Sequence, residues 1–394
     1  MSAQALLLTG ATLIDGAGTP PMSDAAVLIE GHLIAYAGPL DGLDAPADCH
    51  RIDCAGKTIL PGIIEGHAHI GGDPAAVRTL RVSLQRGITT ICSVSANLEG
   101  LRLRNAINEG HVRGAARMIA GCIVTPTHGH VKFRTADGPW EVRKAVREMA
   151  EAGADFIKTA ASGGFWAKNE SCSSPNYTLE ELAALTDEAH AWGLPVAAHV
   201  HTQPGLGNCI TAGVDMIHHG AFIDEAAVRG IKARDLFYLP TLAVTCQRNI
   251  DALADQPWQT EEMALAQPIH RAGVRLAHEI GVSLGVGTDY PGTPKTWRLG
   301  DRTLYELQEL VACGLSPLEA ITAATQVNAA AYRKLDRLGT LQQDKLADLL
   351  VLSGNPADDV SLLYDQRRLC LVVKEGRVEY ADAAHRECYE IADE

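Results

Sequence analysis

The pattern of apolar and polar positions divides the chain into three stretches. Residues 1–58 are β-rich. Residues 6–15 read as a strand pair broken by glycine, and residues 26–38 as a hairpin turning at Glu30-Gly31-His32. Over residues 59–344, short apolar runs alternate with helical stretches. The runs span 60–65, 89–94, 118–124, 156–159, 195–199, 216–219, 236–242 and 282–288. The helical stretches carry their own punctuation. Residues 178–190 open on Thr178 with Glu181 three residues on, the signature of a capping box. Residues 139–152 and 268–280 each begin on a proline, which suits the first position of a helix. Over 345–394 the β pattern returns, at 346–352 and at 370–378, the latter turning at Glu375-Gly376. Eight strand–helix units in series, each with a single apolar run, predict a parallel (β/α)8 TIM barrel over 59–344 in preference to a doubly wound sheet. The flanking segments 1–58 and 345–394 predict a small β-sandwich built from both termini.

Composition narrows the class. The chain has 394 residues, 46% hydrophobic and 21% charged, the balance of a soluble globular protein. A formal charge of −14 without a Lys/Arg-rich patch argues against nucleic acid as a partner. The N-terminus has no basic region ahead of a long apolar run, so neither a signal peptide nor a membrane span is expected, and the cytoplasm is the expected location. Ten cysteines are spread singly with no C-x-x-C pair, a pattern of reduced thiols.

The chemistry lies at the ends of the apolar runs. His67 and His69 close the first one, and in a strand residues two apart face the same side. Lys158 lies late in the fourth run, His199 and His201 close the fifth, His218 and His219 the sixth, and Asp289 the eighth. Each alone has a plain structural explanation, as a strand-edge histidine, a turn aspartate or a snorkelling lysine. Barrel active sites, however, sit at the C-terminal ends of the strands, and coincidence at five such ends points to a metal site. Two divalent cations sharing a hydroxide generate a nucleophile at neutral pH. Histidines and an aspartate supply terminal ligands, and a bridging anion is still required. A lysine amine that has added carbon dioxide becomes a carbamate and can bridge, which gives an apparently buried Lys158 a role. Asp289 would bind one metal and take the proton of the attacking hydroxide.

These motifs resemble the amidohydrolase superfamily of metal-dependent hydrolases over nearly the whole length. The resemblance rests on Leu13-Ile14-Asp15-Gly16, on Pro61-Gly62 through His67-Ala68-His69, on Ile217-His218-His219-Gly220 and on Gly287-Thr288-Asp289. It extends to Asn328-Ala329-Ala330, Gly339-Thr340-Leu341 and Lys345-Leu346-Ala347-Asp348-Leu349. Lys158 followed by Ser162-Gly163-Gly164 is similar to the branch with a carbamylated lysine on the fourth strand. That branch includes Xaa-Pro-type dipeptidases, and its barrel is similar to that of imidazolonepropionases. The resemblance implies two divalent metals, zinc being the expected ion, with ligands His67, His69, N-carboxylated Lys158, His199, His219 and Asp289. It places the fifth-strand ligand first in its motif, hence His199 over His201.

This chain departs from the family pattern at several positions. Glu65 stands where the motif often has Asp, and His218 where it normally has Glu. Thr127-His128-Gly129-His130 stands for a Gly-Gly-His element, His201 for a tyrosine, and Asp344-Lys345 for Gly-Lys. Asp289, His130 and His201 are the candidate catalytic residues. His128, Lys132, Arg134, Trp166 and Tyr238 are the candidates for holding substrate, with Lys132 or Arg134 against a carboxylate and Trp166, beside Phe165, against an acyl group. The expected reaction is hydrolysis of a C–N amide bond in a small carboxylate-bearing molecule, a dipeptide or N-acyl amino acid. The alternatives are a cyclic amide, urea or carbamate hydrolase, and more remotely a one-metal deaminase or a non-catalytic scaffold. Self-association is expected from the relatives.

Overall fold

The structure, a computed structural model, describes residues 5–291, 297–386 and 389. Eight parallel strands follow one another around a barrel: Ile63–Ala68, Ile88–Ser93, Arg117–Thr125, Phe156–Ala160, Val196–Val200, Met216–His219, Phe237–Leu239 and Ser283–Leu284. The eighth strand leaves its ladder after two residues, and the chain beyond it completes the ring. Gly66 N–H donates to Val286 O (2.9 Å), Thr288 N–H to His67 O (3.3 Å) and His69 N–H to Tyr290 O (2.8 Å). Asn328 braces this seam, its Nδ2 donating to both Ile64 O and Val286 O at 2.7 Å. The first six strands are buried along their whole length, because side chains fill the barrel on one face and helices cover the other. That double burial is why they stand out as unbroken apolar runs.

The helices keep their apolar stripes on the barrel. In Pro139–Glu151 the buried residues are Val142, Ala145, Val146 and Met149, one helical face. Leu179–Ala191 opens on the expected box: Glu181 N–H donates to Thr178 Oγ1 (3.3 Å) and Thr178 N–H to Glu181 Oε2 (2.9 Å). One expected start is wrong. Pro268 does not open a helix; it lies inside Pro257–Glu279, which begins on Pro257. The buried stripe Met263, Ala266, His270, Gly273, Val274 and Ala277 runs straight through it, so continuous packing outweighs the hydrogen bond a proline removes.

The β segments of both termini join in one eight-stranded sheet, ordered Arg377–Ala381, Leu369–Lys374, Leu349–Ser353, Lys57–Pro61, Leu6–Leu13, Met22–Glu30 and Leu33–Pro39, with His50–Asp53 also pairing Leu6–Leu13. Leu6–Leu13 is one strand, not a pair. Its glycine, Gly10, marks a register shift between Thr9 and Ala11. Residues from every strand of this sheet meet in one core, including Leu8, Val27, Ile34, Ile52, Ile59, Val351, Leu371 and Ala381. Buried Arg117, at the start of the third barrel strand, pairs with Asp348 and Glu375 and so ties the barrel to the sheet. No helix among the described residues is long and apolar enough to cross a membrane.

Candidate metal centre

Each candidate ligand is fixed through its backbone before its side chain makes any contact. On the first strand, His67 N–H donates to Glu65 Oε1 (2.7 Å). The same oxygen accepts Thr288 N–H (2.9 Å), and Oε2 accepts the Thr303 hydroxyl (2.6 Å). Glu65 thus clamps the first strand to the segment that carries Asp289. Burial pushes its carboxyl up to about 7, against the pull of these donors. At Gly287, a Cβ would stand 2.8 Å from His67 Cβ, so only glycine lets the two segments lie this close. On the sixth strand, His219 adopts φ 75°, which breaks the alternation of side chains and lets His218 and His219 both face the barrel interior.

The side chains converge on one buried space. Asp289 Oδ1 lies 3.2 Å from His67 Nε2 and 3.0 Å from His69 Nε2. Asp289 Oδ2 accepts the Trp166 indole N–H at 3.4 Å. His69 Nδ1 is 2.8 Å from Ser95 Oγ, and His219 Nδ1 is 2.8 Å from Thr241 Oγ1. With Nδ1 so engaged, His219 Nε2 is left buried and without a hydrogen-bond partner among the described residues. Ligand atoms of His67, His219 and Asp289 all lie within 4.8 Å of one another, and so do those of His199, His201 and His219. Two overlapping triads therefore share His219. Lys158, 2% exposed, places Nζ 3.4 Å from His218 Nδ1. The cavity between His67, His69, His130, Lys158 and His199 measures only about 10 Å³, room for ions or a water molecule but not for a substrate.

Burial sets the charge of these groups. It holds the imidazoles of His199, His201, His218 and His219 well below their ordinary range, and brings His67 down to about 3. All five are neutral at pH 7, the form that binds metals. Burial would raise the Asp289 carboxyl, but hydrogen bonds from His67 and His69 outweigh it and hold the group well below the usual carboxylate range. Burial pushes the Lys158 amine down to about 7, with Asp289 and Cys209 opposing it. An anionic carboxylate, several neutral imidazoles and an amine that burial draws toward its neutral form, facing one another, suit divalent cations. Without a cation, the orphaned His219 nitrogen has no compensation for its burial.

The remaining candidates divide. His201 sits in the second triad, and its Nδ1 accepts Ala221 N–H at 3.4 Å, which leaves the ring proton on Nε2. His130 stacks on His199 with centroids 3.9 Å apart, and its Nδ1 is 2.7 Å from Glu170 Oε1. Trp166 and Glu170 belong to the loop after the fourth strand, which reaches Asp289 and His130. A Cβ on Gly164 of that loop would meet His130 at 2.8 Å and His199 at 3.2 Å, so glycine permits the close passage. His128 and Lys132 are exposed on the loop after the third strand. Arg134 is not brought to the centre: Glu148 (2.7 Å) and Glu141 (3.5 Å) hold its guanidinium. Tyr238 is fully buried, and its hydroxyl donates to His219 O at 2.9 Å. Ser95, Thr241, Thr303 and Glu170 had drawn no notice in the sequence. Ser95 follows the run 89–94 and Thr241 lies near the end of the run 236–242, the one available signal; Glu170 lies in an irregular loop and offers none.

A model of the amidohydrolase family matches residues 58–378. Ochratoxinase from Aspergillus niger is 28% identical, covering 95% of this chain and 87% of that protein. Imidazolonepropionase from Micrococcus luteus is 24% identical over 85% of this chain and 89% of its own. Among solved structures, a Xaa-Pro dipeptidase with methionine bound in its active site superposes with a TM-score of 0.85 and 29% identity, over 96% of this chain and all of that one.

Proposed function

Because the chain belongs to the amidohydrolase family and is a metal-dependent hydrolase acting on C–N bonds, we propose that it cleaves the amide bond of a small carboxylate-bearing molecule, an N-acyl amino acid or dipeptide, with two divalent cations. The cations, zinc being the expected ion, would be held by His67, His69, His199, His219, Asp289 and Lys158 as its carbamate. They would supply activation of water and polarisation of the scissile carbonyl. The observation that carries this reading is the buried Lys158 amine among neutral imidazoles. An amine that titrates at about 7 is about half unprotonated at neutral pH, and only that form adds carbon dioxide.

The chain's own residues have separate tasks in this reading. Asp289, anionic and near the histidines through Oδ1, takes the proton of the attacking water and passes it to the leaving amine. His201, with its proton on Nε2, donates to the substrate oxygen or carboxylate. His130, backed by Glu170, flanks the same space. Trp166 closes over Asp289, and its loop must lift for substrate to enter a cavity this small. With Arg134 held by its own glutamates, Lys132 is the one of the two expected cations that remains for the substrate carboxylate. The preference for an amide next to a carboxylate is supported by the likeness to the Xaa-Pro dipeptidase and to ochratoxinase. Free thiols at the nine described cysteines support a cytoplasmic setting, and exposed Trp140, Trp192 and Leu265 support self-association.

Metal analysis combined with a substrate panel tests the proposal. Two metals per chain with turnover of N-acyl amino acids or dipeptides is the expected result. Preference for lactams, ureas or carbamates would move the substrate class. A single metal with deamination of heterocycles would overturn the proposal.

A further inference from the structure

The ligand set leaves one fully buried imidazole without a task. His218 stands where the family pattern carries a glutamate. Its Nδ1 lies 2.8 Å from His67 Nδ1 and 3.4 Å from Lys158 Nζ, its Nε2 has no partner among the described residues, and its ring centroid is 4.7 Å from that of His67. Building on the metal-dependent reading above, we propose that His218 is a positioning residue that lets His67 change the ring nitrogen carrying its proton as the centre fills.

The distances fit two proton arrangements. In the first, His218 Nδ1–H donates to His67 Nδ1, and His67 Nε2–H donates to Asp289 Oδ1 across 3.2 Å. This arrangement suits the metal-free protein, since it satisfies the buried carboxylate. It also blocks the ligand, because the nitrogen that faces Asp289 carries a hydrogen. In the second, His67 Nδ1–H donates to His218 Nδ1, and His67 Nε2 offers its lone pair beside Asp289. Two ligand atoms bound to one tetrahedral ion at ~2.0–2.1 Å stand about 3.4 Å apart, close to the spacing already present. The change between the two balances. The His67 Nε2 proton leaves to water, the His218 Nδ1 proton passes to His67 Nδ1, and His218 Nε2 takes a proton from water. Each ring ends neutral with one proton.

A carboxylate at position 218 would behave differently. It can only accept, so it would hold His67 in the second arrangement whether or not metal is present. Partners of this kind, behind a ligating histidine, typically change metal affinity 10–100-fold when removed. His218→Phe keeps the ring shape and removes the acceptor, and His218→Glu restores an acceptor.

Zinc affinity by competition with a chelator, together with the ring-nitrogen signals of His67 in ¹⁵N NMR, tests the proposal without reference to turnover. The wild type should show the His67 proton on Nε2 when metal-free and on Nδ1 when zinc-loaded. His218→Phe should bind zinc 10–100-fold more weakly, and His218→Glu at least as tightly as wild type, with the proton on Nδ1 even when metal-free. An unchanged His67 tautomer on loading, or wild-type affinity in His218→Phe, would overturn the proposal while leaving the metal centre standing. Should His218→Phe fail to fold, the wild-type spectra alone decide. A wild type that takes up no zinc would overturn both the centre and this role.

Discussion

Replacing Lys158 with methionine should abolish a pH dependence of stability that the wild type shows without metal. The amine is fully buried and titrates at about 7 in the fold, against an ordinary value of 10.5. Below about 7 both folded and unfolded chains hold the proton, and the full penalty of burying the charge is present. Between about 7 and 10.5 the unfolded chain still binds the proton and the folded chain does not, so stability rises with pH. Each tenfold step in proton affinity is ~1.4 kcal/mol, which makes the whole interval worth about 5 kcal/mol and the stretch from pH 7 to pH 9 about 2 kcal/mol. The assay is urea unfolding of chelator-stripped protein in carbon dioxide-free buffer, at both pH values, for wild type and Lys158→Met. The wild type should gain about 2 kcal/mol more than the variant between the two. Bicarbonate added at pH 8.5 should then stabilise the wild type alone, because a ligand that reacts only with the folded amine draws the equilibrium toward it. Equal slopes in the two proteins would mean that the fold holds a charged ammonium, and the carbamate would lose its precondition.

Other substitutions separate the roles of neighbouring residues. Asp289→Asn should retain most of the bound metal yet lose ~10²–10⁴-fold in kcat, checked by metal analysis beside steady-state kinetics, because the proton acceptor is gone while the shape remains. Arg134→Ala should leave kcat/KM unchanged, since Glu148 and Glu141 already hold the guanidinium, and should cost no more than about 1 kcal/mol in thermal melts. Tyr238→Phe should leave KM unchanged but cost about 1–3 kcal/mol, because it removes a buried hydrogen bond to the His219 carbonyl.

The barrel was legible because its first six strands are buried on both faces, so each appeared as an apolar run near its true position. The last two runs looked longer than the strands they contain. Residues 236–242 and 282–288 stay apolar or glycine-rich, but the ladders stop at Leu239 and Leu284. Beyond Leu239 the chain turns at Thr241, φ 56°, and beyond Leu284 it crosses to the first strand. The metal-facing residues were visible because histidines at strand ends are conspicuous. Their supports were not. Arg134 looks like a free cation until the following helix brings Glu141 and Glu148 beside it. Tyr238 looks like a mouth residue until its hydroxyl is traced to His219. A charge or a hydroxyl is written in the sequence, but the partner that occupies it is a property of packing.

The least legible feature is also the one the centre depends on most. Strand alternation would send one of two successive residues away from the barrel interior, yet His218 and His219 are both inside. His219 achieves this at φ 75° and Asp289 sits at φ 52°, in the left-handed region that costs a non-glycine residue of order 1 kcal/mol or more. Such a conformation persists only if its surroundings fix it. Here the carbonyl of His219 accepts the Tyr238 hydroxyl at 2.9 Å, and the carbonyl preceding Asp289, that of Thr288, accepts Arg302 Nε at 3.0 Å. Both donors are buried to within 2% of completely, so neither can trade its bond for water without exposing a polar group. Tyr238 and Arg302 contribute no atom to the ligand cluster. They supply the fixed backbone from which His219 and Asp289 reach it, and that explains why a tyrosine on a barrel strand and an arginine on the helix Leu299–Ala312 are buried where aliphatic residues would otherwise pack.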